Sequence, residues 1–453
     1  MTLSLLTAAA WAQTPKYIFY FIGDGMGMGP VLAAETYNRT VLENDQYITM
    51  LQFPVASAAL TYSASSKVTD SAAAGTALST GSKTKNGMLG MNPDTVPVYS
   101  IAKAFKEAGY GVAIATSVPI DDATPGAFYA HVPSRKMGHQ IDLDLAASGY
   151  DFFAGACMRG MKDPSGDPAE ITKALADNGY TVARGADEYE AHKTDRKIVL
   201  LSANTAIEHN GYTIDSVPGY LQLPYLAQAC LDHMNMVSPD KFFIMIEGGN
   251  IDWACHANDA GAAVKEVINF NQAIDVAYSF YKLHPDETLI VVTADHNTGG
   301  MELGVAGGPA NPNLKNFDYQ RVSIETFQAQ CQEWKEAGVT PQWDEMRQYL
   351  TDNLGLYGPI AVSDQADALI KEKFNATFID NTGRDTQTLY TTYNEFVATV
   401  FGVLDLATGI GWTTTNHTGD FVPVYATGVG AEQFAPLNNN IEIPAKILRI
   451  AGL

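Results

Sequence analysis

Three continuous apolar runs in this chain end on a carboxylate, and that repetition limits what it can fold into. Tyr17-Ile18-Phe19-Tyr20-Phe21-Ile22-Gly23 leads into Asp24, Phe242-Phe243-Ile244-Met245-Ile246 into Glu247, and Thr288–Ala294 into Asp295. Runs of this length without polar alternation read as strands covered on both faces, which is the pattern of a parallel sheet in an α/β protein. In open α/β sheets the chemistry lies beyond the carboxyl ends of the strands, so each acid is delivered where a site is expected. A glycine-rich turn whose Asp caps the next helix accounts for Asp24 taken alone. The recurrence at Glu247 and Asp295, with a histidine beside two of the three, favours the site. The glycines around Asp24 lack the dinucleotide-binding spacing, and no P-loop lysine follows them.

Charge narrows the partners. With 28 basic against 50 acidic residues the formal net charge is -22, which argues against nucleic acid or an anionic membrane as a partner. The same balance is awkward for anionic substrates unless bound cations offset the acids locally. Residues 1–12 read as the tail of a secretory signal, with Ala10-Trp11-Ala12 as a small-x-small cleavage site but no positive start. They predict a periplasmic or secreted protein. No apolar run elsewhere is long enough for a membrane span. The four cysteines, Cys157, Cys230, Cys255 and Cys331, allow two disulfides in an exported protein or serve equally as buried thiols.

Further strands are expected at Val55–Tyr62, Gly111–Thr116, Phe152–Ala154, Lys197–Leu201 and Phe421–Thr427, with helices at Val98–Ala108 and Ile443–Ile450. Ser71 lies near the start of a helix rich in small residues, where free N–H groups favour an anion. A plain serine N-cap explains it as well. Ser134-Arg135-Lys136 is read as opening another helix; an arginine there opposes the macrodipole, so it is solvated or held for an anion. Asp121, Asp122 and Thr124 share a proline-bounded loop. If a helical turn follows Glu247, Asp252 and His256 at i, i+4 share a face and can grip one metal ion. Residues 301–409 break the alternation with amphipathic helices and are read as an insertion over the C-terminal edge of the sheet.

Taken together, IGDGMG around Asp24, VTDSAA around Ser71, DATPGAFYAHVPSRK from Asp122 to Lys136, EGGNIDWACH from Glu247 to His256, TADHNTGG around Asp295-His296 and NHTG around His417 resemble the alkaline phosphatase family. The resemblance implies a three-layer α/β/α sandwich forming one catalytic domain over residues 13–453, with 301–409 as a lid or subunit-contact element. It implies two zinc ions and one magnesium ion. One zinc would take Asp252, His256 and His417, and the other Asp24, Asp295, His296 and, in turnover, Ser71. Magnesium would take Asp24, Thr124 and Glu247. Ser71 would be the nucleophile toward phosphate monoesters, and Arg135 would grip two phosphate oxygens. Asp122 and Trp253 would border the substrate, Trp253 standing where many members carry Lys or His. Members are often homodimers. His131, His139, His192, His209, His233 and His284 are assigned to the surface or to structure.

Four other readings compete, one of them a phosphate mutase of the same superfamily. A sulfatase needs Pro and Arg after its nucleophile, where this chain has Ala72-Ala73-Ala74. A related phosphodiesterase usually lacks an arginine clamp such as Arg135. A metal-loaded phosphate-binding scaffold does not need Ser71.

Overall fold

The computed structural model describes residues 14–204, 207–388 and 392–453; the secretory-signal reading of residues 1–12 lies outside the described residues. A ten-stranded sheet forms the centre. Its strands are β1 (Tyr17–Gly23), β2 (Val55–Leu60), β3 (Gly111–Thr116), β4 (Phe152–Gly155), β5 (Thr181–Arg184), β6 (Ile198–Leu201), β7 (Phe242–Glu247), β8 (Thr288–Ala294), β9 (Val422–Gly428) and β10 (Asn438–Asn439). They lie in the order β10-β2-β9-β8-β1-β7-β3-β4-β6-β5. β9 alone runs against its neighbours, antiparallel to β2 and β8; the other pairings are parallel.

β1, β3, β7 and β8 are buried along their whole length. Burial of alternating side chains in both directions requires cover on both faces, which is the α/β sandwich that the apolar runs predict. The parallel register sets Ile22 beside Glu247 and Gly23 beside Ala294. The carboxyl ends of β1, β7 and β8 are therefore level, and Asp24, Glu247 and Asp295 leave the sheet together.

Several expected boundaries shift. The helix read as Val98–Ala108 spans Ile101–Glu107, because the Ser100 hydroxyl accepts the Lys103 N–H and starts it there. The strand read as Val55–Tyr62 ends at Leu60. Residues 134–136 do not open a helix; they form a turn, and the helix begins at Gly138, which relieves Arg135 of the opposing macrodipole. All four cysteines are buried free thiols, so neither disulfide forms.

Within 301–409 the helices Ile324–Glu336, Trp343–Leu354, Asp364–Phe374 and Glu395–Thr408 carry their apolar stripes inward. Phe327, Met346, Leu350, Phe374, Phe396 and Phe401 meet there in a hydrophobic cluster separate from that of the sheet. No helix among the described residues is long and apolar enough to cross a membrane.

Candidate active site and metal centre

The level strand ends bring the predicted ligands into two overlapping groups. Among the described residues, donor atoms of Asp24, Asp295 and His296 converge in one, and those of Asp252, His296 and His417 in the other. His296 Nε2 lies 3.4 Å from Asp24 Oδ1 and 3.1 Å from Asp295 Oδ2. His256 joins the second group, with its Nε2 3.0 Å from His417 Nε2 and 3.4 Å from Asp252 Oδ2. The helix Asn250–His256 places Asp252 and His256 one turn apart on one face, as their spacing predicts. His417 arrives by a two-residue antiparallel bridge that sets it opposite Thr298.

Outer hydrogen bonds fix which ring nitrogens face inward. His256 Nδ1 donates to Thr415 O at 2.6 Å and His417 Nδ1 to Thr69 O at 2.9 Å, so the two Nε2 lone pairs point at each other. The Thr298 hydroxyl donates to Asp252 Oδ1 and accepts from His296 Nδ1 at 3.1 Å, which leaves His296 Nε2 an acceptor as well. Three inward lone pairs beside buried carboxylates are an arrangement that a cation satisfies.

The carboxylates agree. Asp24 Oδ1, Glu247 Oε1, Asp252 Oδ2 and Asp295 Oδ2 are all buried without a hydrogen-bond partner, a costly state unless a cation completes them. Burial and then the neighbouring Asp295, Asp252 and Glu247 push Asp24 well above the usual carboxylate range. Burial first, and then a nearby aspartate, push Glu247 and Asp295 each up to about 8. Burial, then His417 and His256, hold His296 well below an ordinary histidine. Thr124, in the helical turn Ala123–Gly126, sets its hydroxyl 3.4 Å from Asp24 Oδ2, and Thr116 donates to Glu247 Oε2. Asp24, Thr124 and Glu247 thus offer an all-oxygen corner beside the two nitrogen-rich ones.

Ser71 is the first residue of the helix Ser71–Thr80, which Asp70 caps by accepting the Ala73 N–H. Its hydroxyl is buried and donates to His296 Nε2 at 3.1 Å. Above it stands Arg135, whose Nη2 lies 3.0 Å from Asp122 Oδ1 and whose Nη1 lies 3.7 Å from Asp70 Oδ2.

A second arginine, which sequence reasoning did not single out, shares that anchor. Arg159 Nη1 lies 3.1 Å from the same Asp122 Oδ1, its Nε 3.0 Å from Glu208 Oε2, and its guanidinium 5.5 Å from the Trp253 ring centre. Burial alone would raise Asp122, but Arg159 and Arg135 outweigh it and hold the carboxyl below its ordinary value. The signal in the sequence is weak: Arg159 lies beyond the carboxyl end of β4 but, unlike Asp24 after β1, is separated from it by Ala156, Cys157 and Met158. His209, assigned to structure, packs 5.1 Å from the Trp253 ring and bridges Asn250 Oδ1 at 3.1 Å and Glu325 Oε2 at 2.9 Å.

A family model for alkaline phosphatase matches residues 15–157 and 222–453. The chain belongs to the alkaline phosphatase family. It is an enzyme that hydrolyses phosphate monoesters, and the family is metal-dependent. Alkaline phosphatase 4 of Bacillus subtilis (strain 168) is 28% identical over 441 residues, covering 96% of this chain and 88% of the relative. The crystal structure of a cold-active alkaline phosphatase from the psychrophile Shewanella sp. superposes with a TM-score of 0.80 at 26% identity, covering 96% of this chain and 99% of that one. A variant of the TAB5 alkaline phosphatase, solved with magnesium bound, has a TM-score of 0.67 at 24% identity, covering 97% and 99%. The stretch 158–221 of this phosphatase, which supplies Arg159, lies outside the family match.

Proposed function

We propose that this phosphatase works through a covalent phosphoserine on Ser71, in a cage that holds two zinc ions and one magnesium ion. The observation that carries the reading is the placement of the Ser71 hydroxyl, buried at a helix start and 3.1 Å from His296 Nε2, among carboxylate oxygens that have no other partner. Asp252, His256 and His417 would hold one zinc, and Asp24, Asp295, His296 and Ser71 the other. The all-oxygen corner of Asp24, Thr124 and Glu247 suits magnesium. When bound, the cations supply charge neutralisation for an in-line displacement and lower the pKa of the attacking hydroxyl.

The residues divide the remaining work. Arg135 grips two oxygens of the phosphate bidentately, and Asp122 keeps that guanidinium aimed. Ser71 Oγ forms a bond to phosphorus as the ester P–O bond breaks, and the alcohol leaves with a proton. Water then attacks the phosphoserine, releasing inorganic phosphate and restoring the hydroxyl. Trp253 and Arg159 border the space of the departing alcohol.

The organisation we infer is one catalytic domain with 301–409 inserted as a crown over the sheet edge. Support comes from Glu325 of that segment, which reaches His209 and through it Asn250. An exported homodimer completes the reading; export rests on the apolar start and the dimer on likeness to the family. The deciding experiment is Ser71→Ala measured on p-nitrophenyl phosphate at alkaline pH, with metal content determined in parallel. Turnover lost at unchanged metal content supports the nucleophile; turnover retained removes Ser71 from the reaction.

A further inference from the structure

Beside the phosphate end of the site lies a groove of about 510 Å3 whose lysines the reaction above does not use. Asp70 and Arg135 belong to both site and groove; Lys136, Arg159, Lys162 and Glu208 continue the lining. Four lining residues are cations and four, Asp70, Asp121, Asp163 and Glu208, are acids, in a chain where 28 basic residues face 50 acidic ones. Each acid along the wall accepts at least one hydrogen bond, while Asp121 Oδ1 is left without one. Asp70 caps its helix and accepts the Gly87 N–H, and Asp121 accepts the Gly160 N–H. Asp163 accepts from His139 and Ser165, and Glu208 pairs with Arg159. The exposed ammonium groups of Lys136 and Lys162 have no carboxylate partner among the described residues.

We propose that Lys136 and Lys162, together with Arg159, form a subsite for a second phosphate carried on the leaving alcohol. The preferred substrates are then small phosphate monoesters that bear two phosphate groups. This rests on the phosphomonoesterase reading and deepens it. A substrate with two dianionic phosphates is repelled by the protein as a whole, so each phosphate needs cations within reach. The caged cations and Arg135 meet the first phosphate, and the two lysines, as mobile point charges, meet the second. The groove volume suits a phosphorylated sugar-sized alcohol. Only the ester P–O bond of the phosphate over Ser71 breaks; the second phosphate departs intact on the alcohol. Arg159 and Lys162 come from the stretch outside the family match.

The test uses the metal-loaded full chain and initial phosphate release from fructose 1,6-bisphosphate and fructose 6-phosphate. The expected ratio of the two kcat/KM values is about tenfold in favour of the bisphosphate, the equivalent of one charge-assisted contact. In Lys136→Ser/Lys162→Ser the ratio falls to about two, the statistical value for two phosphates, and in the parent protein it declines as sodium chloride is raised. A ratio near two in the parent protein overturns the subsite. So does a variant that keeps the parent ratio, including one that loses activity equally on both substrates. No phosphate release from either substrate by the parent protein overturns the phosphomonoesterase reading and the subsite with it.

Discussion

On the floor of the site Asp24, Glu247, Asp252 and Asp295 each leave a buried oxygen without a partner. On the rim Asp122, just as deeply buried, accepts from two guanidiniums at a single oxygen. Burial acts on both regions in the same direction, yet Asp24, Glu247 and Asp295 are pushed up while Asp122 is held down. The difference is the source of the compensating charge. The rim carries its own cations on the chain, and the floor has to take them from solution. An acidic protein can therefore bind a phosphate dianion without a basic surface, because positive charge is concentrated at two places a few residues across.

The sharpest way to break this comparison is to deprive the floor of its cations. Chelation should abolish turnover, and Asp24→Asn, which removes a carboxylate from both the nitrogen-rich and the all-oxygen corners, should lower kcat/KM by about 10^3 or more. Metal content measured beside activity checks it. A variant that loses metal and keeps its rate would show that the floor does not carry the reaction.

The stripped protein should also reveal the strain in the floor. Glu247 and Asp295 have folded values near 8, above those of the unfolded chain, so between about pH 4.5 and 8 the unfolded state binds fewer protons than the folded one. Stability of the chelated protein is full below that window and falls as pH rises through it, by several kcal/mol in order of magnitude. Thermal unfolding of chelated and metal-loaded protein across pH 5 to 9 reads the effect directly. The loaded protein should not show the decline, since bound cations replace the protons.

On the rim the expected effect is smaller. Arg159→Ala leaves Asp122 with Arg135 alone and lifts the carboxyl toward its ordinary value, still ionised at alkaline pH. Arg135 loses the fixed anchor that two guanidiniums share, and KM for p-nitrophenyl phosphate should rise about tenfold with kcat little changed. A fall in kcat of the same size would instead place Arg159 in the transition state.

The two regions also differ in how legible they are in the sequence. The floor is local: strand, then carboxylate, repeated at β1, β7 and β8, with β3 and β8 found at the residues that the apolar runs mark. His417 is less visible, because a two-residue bridge to Thr298 places it rather than any run of its own. The rim is not local at all. Arg159 meets Asp122 across 37 positions, in a stretch whose edge strand β5 is half exposed and lacks an apolar run. The helix start expected at Ser134 fails for a local reason instead. Arg135 and Lys136 lie in a turn, and two cations at a helix start oppose the macrodipole, so the charge pattern itself counts against a helix start there.

Trp253 supplies the finest test of the rim. On the family resemblance Trp253 stands in place of a cation, which predicts weaker phosphate binding and faster product release, and on the sequence alone Trp253→Lys should restore affinity. The structure places a cation beside it already, with the Arg159 guanidinium 5.5 Å from the ring centre and bonded to Asp122. A lysine at 253 would then enter next to a guanidinium, where like charges at this range offset much of its attraction for phosphate. It would also give up the cation–π contact that helps hold Arg159 in place. Inhibition by inorganic phosphate should therefore tighten by only about threefold in Trp253→Lys, a difference of less than 1 kcal/mol. The same substitution made in Arg159→Ala should tighten it by about tenfold, since there the new ammonium is the only cation left on that side of Asp122. Equal gains in the two backgrounds would mean that Arg159 and Trp253 act independently on phosphate, and the rim would not be the coupled unit that its shared carboxylate describes.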